Sequence, residues 1–181
     1  VYAGLIAAFT RTNPYPVLGR MREATLTAFV TRSSAATLPV SLQVAERDLG
    51  VREEVAAFSL PLGATINMDG VCVHLPMFAV LAANLFGFEL GVGSLFFLVV
   101  TTVLAAIGAG GVPGGSLMLL FLILDGLGLS ADQVAVVVAL ALGVNPILDM
   151  FETANNVTGD LVCTWVVATR EGLVAEPVPE P

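Results

Sequence analysis

Two apolar runs in this chain, residues 94–107 and 117–129, are too short to cross a membrane and too apolar to be left in water. A spanning helix needs about 20 apolar residues, and at about 1.5 Å per residue neither run is long enough. Neither can stop in open lipid, because each unpaired backbone group there costs several kcal/mol. Two half-helices meeting at "GAGGVPGGS" (residues 108–116), with both outer ends on one side, resolve the conflict. That is a re-entrant hairpin whose tip is buried in protein. Residues 21–47 read the same way: a short helix over 21–31, a polar tip at "RSSAATLP", and a second helix over 38–47.

Composition places this pattern in a bilayer. Residues are 56% hydrophobic and 12% charged, against about 25% charged in soluble domains. The formal charge is −8, there is no Lys and all seven cations are Arg, a balance that excludes nucleic acid as a partner. Cys72 and Cys163 stand far apart, in neither metal-ligand nor redox spacing. The chain begins at Val1 with no signal-peptide pattern, and the expectation is a fragment. Residues 1–19 read as the end of a truncated upstream helix and a connector broken by two prolines, 20–172 as one functional unit, and 173–181 as a disordered tail.

Within that unit, a span over residues 55–86 is interrupted by "NMDG" (67–70), and a long helix covers 132–168. Arginine placement orients the elements. Arg11, Arg20, Arg22, Arg47, Arg52 and Arg170 flank the base of the first hairpin and the end of the last helix, while the turns at 87–93 and 125–132 carry none. By the positive-inside tendency the first hairpin enters from the cytoplasm and the second, over 94–127, from outside. The expected architecture is an all-α membrane protein built on an inverted repeat of hairpin plus spanning helix. Interrupted segments in two inverted halves point to a midplane binding site in a secondary transporter.

Polar residues at membrane depth identify the candidate site. At 100° per residue, Asp149, Thr153, Asn156 and Asp160 fall within an arc of roughly 60° on the last helix, with Glu152 and Asn145 on its rim and Asn155 elsewhere. An intramembrane carboxylate costs about 2.5–3.5 kcal/mol on an insertion scale, so three in one helix call for cations. In "NMDG", Asn67 and Asp69 offer oxygen ligands and Gly70 lets the backbone unwind, a donor set suited to a hard cation such as Na⁺. "GAGGVPGGS" lacks the Lys-Ser/Thr ending of a phosphate loop; its backbone N–H groups suit a carboxylate instead. The sequon at Asn156 lies mid-helix, and His74 reads as a packed histidine rather than a proton relay. With no Gly-x-Ser-x-Gly elbow and no nucleophile–base pair, the chain reads as no enzyme.

The motifs "TRSSAATLPV", "LPLGATINMDG", "AAIGAGGVPGG" and "ILDMFETANNVTGD", in this order, closely resemble the glutamate/neutral amino-acid transporter family, the dicarboxylate/amino acid:cation symporters. The resemblance runs from about residue 26 to 172. It implies a sodium-coupled, elevator-type carrier of a small-molecule substrate, multi-pass in the cell membrane with lipid around it. The full-length protein would be a homotrimer, with Na⁺ as coupling ion and no cofactor. This chain would supply most of the mobile transport domain, with six upstream helices lying outside it apart from the end of the sixth. The resemblance assigns Asp149 to the substrate's α-amino group. Glu152, Thr153, Asn156 and Val71 also line its site, and the tips at Arg32, Ser33, Ser34, Val112 and Gly114 meet its α-carboxylate. One sodium would use Asn67, Asn156 and Asp160 with the Gly63 backbone, a second the carbonyls near Thr65, Met68, Ala106 and Ala109, and a third Asn67 and Asp69.

Four positions depart from the family pattern. Acidic-substrate members carry Arg where this chain has Glu152; Val71 replaces a Thr, Asn145 an Asp and Ala35 a Ser. Two carboxylates facing each other at low dielectric repel unless one is protonated, so a neutral polar or cationic amino acid is the expected substrate rather than an acidic one. A dicarboxylate symporter in which Arg32 neutralises Glu152, a channel-like protein on the same frame, and a fragment without transport activity are the alternatives.

Overall fold

Caps and prolines divide the described residues, 1–175 in a computed structural model, into nine α-helices. These are α1 (Tyr2–Thr10), α2 (Pro14–Arg20), α3 (Arg22–Thr31), α4 (Ser34–Gln43), α5 (Glu53–Ile66), α6 (Asp69–Phe86), α7 (Val92–Gly108), α8 (Gly115–Gly126) and α9 (Ala131–Arg170). A π-helical turn, Val44–Asp48, extends α4. No strand occurs among the described residues beyond an isolated antiparallel bridge between Val51 and Val174.

Local chemistry departs from the sequence expectation in several places. The leading helix ends at Thr10 before the proline-bearing connector, as expected, but the two prolines also start a helix of their own, α2. Asn13 accepts the Tyr15 N–H at 3.2 Å, and Pro14 and Pro16 fall in the first turn, where backbone N–H groups have no helical partner to lose. At the first hairpin, only Arg32 and Ser33 lie outside helices, because α4 begins at Ser34 rather than near Leu38. Arg32 closes α3 in the left-handed conformation (φ 54°), and the Ser33 hydroxyl caps α4 by accepting the Ala36 N–H at 3.1 Å. Pro39 lies within α4 and costs only the hydrogen bond to Ala35. The break between α5 and α6 is likewise just two residues, Asn67 and Met68, with Asp69 and Gly70 already in the first turn of α6.

The second hairpin keeps a wider tip, residues 109–114, where Gly110 (φ 66°) and Gly114 (φ 75°) take left-handed conformations that a side chain would strain. Its arms are 17 and 12 residues long, about 26 and 18 Å by helical rise. Ser130 and Gln133 form a reciprocal capping box that starts α9, and the helix then runs for 40 residues with Pro146 inside it.

One core surrounds the first half of α9, built from α6, α7 and α8 around Leu75, Leu120, Ile123, Leu124 and Val137. The other surrounds its second half, built from α1, α3, α4 and α5 around Ile6, Met21, Leu60 and Leu161. Small residues let the helices approach: Ala24, Ala28, Ala56, Ala79, Ala82 and Ala141 are fully buried. Hydroxyl pairs bridge helices at Thr25–Thr158 (2.9 Å) and Ser59–Thr164 (2.8 Å). Small interfacial residues with interhelical hydrogen bonds are the means by which helices associate in lipid. Large apolar side chains such as Phe58, Phe96, Leu104, Met118 and Phe151 stay exposed on the outer faces. The segments Glu53–Phe86 and Ala131–Arg170 are long and apolar enough to cross a membrane, whereas α7 and α8 are shorter.

At the base of the first hairpin Arg47 donates to Asp48 (2.8 Å) and Glu23 (3.1 Å), and Asp48 foremost holds its guanidinium pKa above the ordinary value. Residues 173–175, expected to be disordered, are pinned: Arg52 N–H donates to the Leu173 carbonyl (3.1 Å) and Ala175 N–H to that of Gly50 (2.7 Å). The apolar pair Leu173 and Val174 packs on the second core, which the Pro/Glu character of the tail obscures. Residues 176–181 of that tail lie outside the described residues.

Candidate substrate and cation site

Both hairpin tips meet beside α9. Ser33 Oγ donates to the Gly111 carbonyl at 2.7 Å, and the Ala35 N–H donates to the same oxygen at 3.2 Å. Gly111 is wedged so tightly that a Cβ there would stand 2.5 Å from the Ala64 carbonyl and 3.1 Å from Ser34 Cβ. Asp149, buried on α9, takes the Gly114 N–H at 3.1 Å and lies 3.9 Å from Arg32 Nη1. One carboxylate is thus addressed by the tip of each hairpin.

Around the α5–α6 break a second group forms. Asn67 Nδ2 donates to Asp160 Oδ1 at 2.8 Å, and the Gly70 N–H donates to Asn156 Oδ1 at 2.6 Å. Asn156 Nδ2 contacts Met68 Sδ at 3.3 Å. Gly63 faces the Asp160 carboxylate directly, leaving no room for a side chain. Asp69 points toward α1, where Tyr2 Oη donates to its Oδ2 at 2.6 Å beside Gly159. The carboxylates of Asp160 and Asp69 and the side-chain amide oxygens of Asn67 and Asn156 are donors of the kind a hard cation takes. Among the described residues no three His, Cys, Asp or Glu side chains gather as a transition-metal site would require.

The rim residue Glu152 has a different partner from the one the sequence offered. Arg32 reaches Asp149, and Glu152 Oε2 instead contacts His74 Nδ1 at 2.5 Å and accepts from Ser116 Oγ at 3.0 Å. His74 is thus a buried histidine whose Nδ1 is satisfied by Glu152. Its alignment follows from Gly70, whose bare Cα rests against the Glu152 backbone and Cγ, so the next turn of α6 brings the imidazole to the carboxylate. The signal was present in the charge inventory: a Glu in an apolar helix needs a partner, and this chain has a single His and no Lys.

Thr153, Val71, Met68 and Ser34 are buried near these groups, and Ser34 Oγ has no hydrogen-bond partner among the described residues. Ala106 and Ala109 are buried at the end of α7. Val112 is 58% exposed, and Thr65, also exposed, turns its hydroxyl back to the Leu62 carbonyl. Asn155, off the polar arc, lines a cavity of about 330 Å³ with Val73, Met77, Leu148 and Phe151. His74, Ser116 and Tyr2 are the contributors that the spacing argument missed.

Residues 1–170 match the model of the sodium:dicarboxylate symporter family. Curated relatives align over most of the chain. A serine/threonine transporter, SstT, of Bifidobacterium adolescentis is 40% identical over 158 residues, 87% of this chain and 36% of that protein. Human excitatory amino acid transporter 3 is 40% identical over 157 residues, 87% of this chain and 29% of that protein. The SstT protein of Acinetobacter baumannii is 38% identical over 167 residues, 92% and 42% respectively. The chain therefore spans well under half the length of these relatives.

Proposed function

This chain belongs to the sodium:dicarboxylate symporter family, and from that premise we propose that it forms the substrate- and ion-carrying core of a sodium-coupled amino-acid symporter. The observation that carries the reading is the convergence of two hairpin tips on Asp149, beside a helix break whose polar groups meet Asn156 and Asp160. Half-helix arms of about 26 and 18 Å fall short of a hydrocarbon core of about 30 Å, which supports re-entrant hairpins in an inverted repeat.

In the proposed cycle Na⁺ takes Asp160, Asn156, Asn67 and the Gly63 carbonyl, so that the Asn67–Asp160 hydrogen bond gives way to ion coordination. Asp69 with Asn67, and carbonyls near Thr65, Met68, Ala106 and Ala109, hold further sodium ions. Asp149 exchanges the Gly114 N–H for the substrate's α-ammonium, and the freed backbone at Gly114 and Val112 turns to the α-carboxylate beside Arg32, Ser33 and Ser34. Thr153, Val71 and Glu152 face the rest of the substrate. Hairpin movement then alternates access, in an elevator-type domain carried by a homotrimer of the full-length protein in the cell membrane.

Glu152 favours a neutral or cationic amino acid over an acidic one, in keeping with a serine/threonine transporter among the relatives. The Arg32–Glu152 pair on which the dicarboxylate alternative was built is not formed here, since Arg32 lies 3.9 Å from Asp149. The test is uptake of a substrate panel by the full-length protein with and without Na⁺. Sodium-dependent uptake of neutral amino acids is expected, with aspartate entering only after Glu152→Arg. Micromolar, sodium-driven aspartate uptake by the unmodified protein would sink the assignment.

A further inference from the structure

We propose that Tyr2 is a positioning residue for sodium: its phenol fixes the Asp69 carboxylate so that one oxygen is held by the protein and the other is left to the ion. The inference rests on the symport reading above and adds to it a residue from the leading helix, outside the hairpins and the interrupted span. Tyr2 opens α1 and is half-buried. Its hydroxyl lies 2.6 Å from Asp69 Oδ2 and 3.0 Å from the Asn155 carbonyl, so one oxygen atom joins α1, α6 and α9. The hydroxyl has a single proton to share. A separation of 2.6 Å to Asp69 is that of a charge-assisted bond, so the carboxylate takes the larger part.

Asp69 needs such a tether. It is the first residue of α6, directly after the two-residue break, and among the described residues no other hydrogen bond reaches its carboxylate. Without the phenol the side chain could turn freely, and a cation would have to bear the entropic cost of fixing it. A hydrogen-bond partner behind a metal ligand removes that cost beforehand, and its loss typically lowers metal affinity by 10–100-fold. The phenol does not compete with the ion for the same atom, because it holds Oδ2 and leaves Oδ1 without a hydrogen bond among the described residues. Gly159 makes the meeting possible. A Cβ there would stand 2.7 Å from Tyr2 Oη and nearer still to Asp69 Oδ2, so phenol and carboxylate join where α9 presents only backbone. Asn155, off the polar arc of α9, contributes through its main-chain carbonyl.

The experiment is Na⁺-dependent thermal stabilisation of the purified full-length protein without substrate, set beside its sodium-driven serine uptake. Tyr2→Phe keeps the ring and removes the hydroxyl. It is expected to raise the Na⁺ concentration for half-maximal stabilisation by about tenfold or more, and to leave the apparent affinity for serine unchanged once Na⁺ is saturating. In an Asp69→Asn background the same substitution is expected to move the Na⁺ midpoint no further, since the two residues act as one unit. A purely structural role would lower the melting temperature alike at every Na⁺ concentration and shift no midpoint. The proposal is overturned if Tyr2→Phe leaves the midpoint where it was, or if the shift is as large in the Asp69→Asn background. Should Tyr2→Phe fail to fold, Tyr2→Leu is read in its place; failure of both assigns the hydroxyl to structure and overturns the proposal as well. Absence of both Na⁺-dependent stabilisation and sodium-driven uptake of any amino acid in the unmodified protein overturns the symport reading itself. With both present and the Tyr2→Phe midpoint unmoved, this inference alone fails.

Discussion

Replacing Gly63 by alanine would put a Cβ 2.7 Å from Asp160 Cγ and 3.3 Å from its Cβ, nearer still to Oδ1. Carbon atoms rest at about 3.5–4.0 Å, so the carboxylate must retreat by roughly an ångström. That retreat breaks the Asn67–Asp160 hydrogen bond of 2.8 Å and moves the carboxylate away from the break. Overpacking of this kind costs about 1–3 kcal/mol of stability, and disturbing the support of a metal ligand lowers affinity by about 10–100-fold. The assay is the sodium concentration for half-maximal uptake by the full-length Gly63→Ala variant, beside its thermal unfolding with and without Na⁺. The predicted result is a sodium requirement raised by at least about tenfold, with most of the Na⁺-induced stabilisation lost. An unchanged sodium curve in a protein that folds and transports would refute the placement of a cation at Asp160.

Three further outcomes follow from the same geometry. Asp149→Asn removes the charge proposed to meet the α-ammonium and is expected to weaken substrate binding by about 10–100-fold, as loss of a charge-assisted contact does; equilibrium binding of labelled serine measures it. Ser33→Ala deletes both the cap on α4 and the bond to Gly111, for an expected loss of about 1–3 kcal/mol, since a cap and a tertiary hydrogen bond each contribute about 1. Denaturant or thermal unfolding in detergent reads that loss. Gly159→Ala would drive a methyl group into Asp69 and Tyr2, and its expected signature is lost Na⁺-dependent stabilisation, checked by the same melt.

Much of this was legible in the sequence because membrane physics makes length and polarity informative. The shortness of the runs that became α7 and α8 came from counting residues against a bilayer, and the break after Ile66 from polar groups interrupting an apolar run. Burial of Asp149, Thr153, Asn156 and Asp160 on one arc followed from helical period alone. Other features depend on contacts between segments distant in sequence. Whether Arg32 meets Asp149 or Glu152 is decided by the hairpin's tight two-residue tip, which a run of serines and a proline concealed. The pairing of His74 with Glu152 spans 78 positions and depends on a glycine that lets α6 touch α9. That the prolines after α1 also open α2 was hidden for a local reason, since a first-turn proline and a helix-breaking one look alike until the cap is known.

Sodium-gradient uptake into proteoliposomes carrying the full-length protein tests the central claim most directly. With Na⁺ high outside and low inside, labelled serine should accumulate above its external concentration, collapse when the gradient is dissipated, and flow outward when it is reversed. Equilibration without accumulation, or accumulation indifferent to Na⁺, would contradict a sodium-coupled carrier built on Asp149, Asn156 and Asp160.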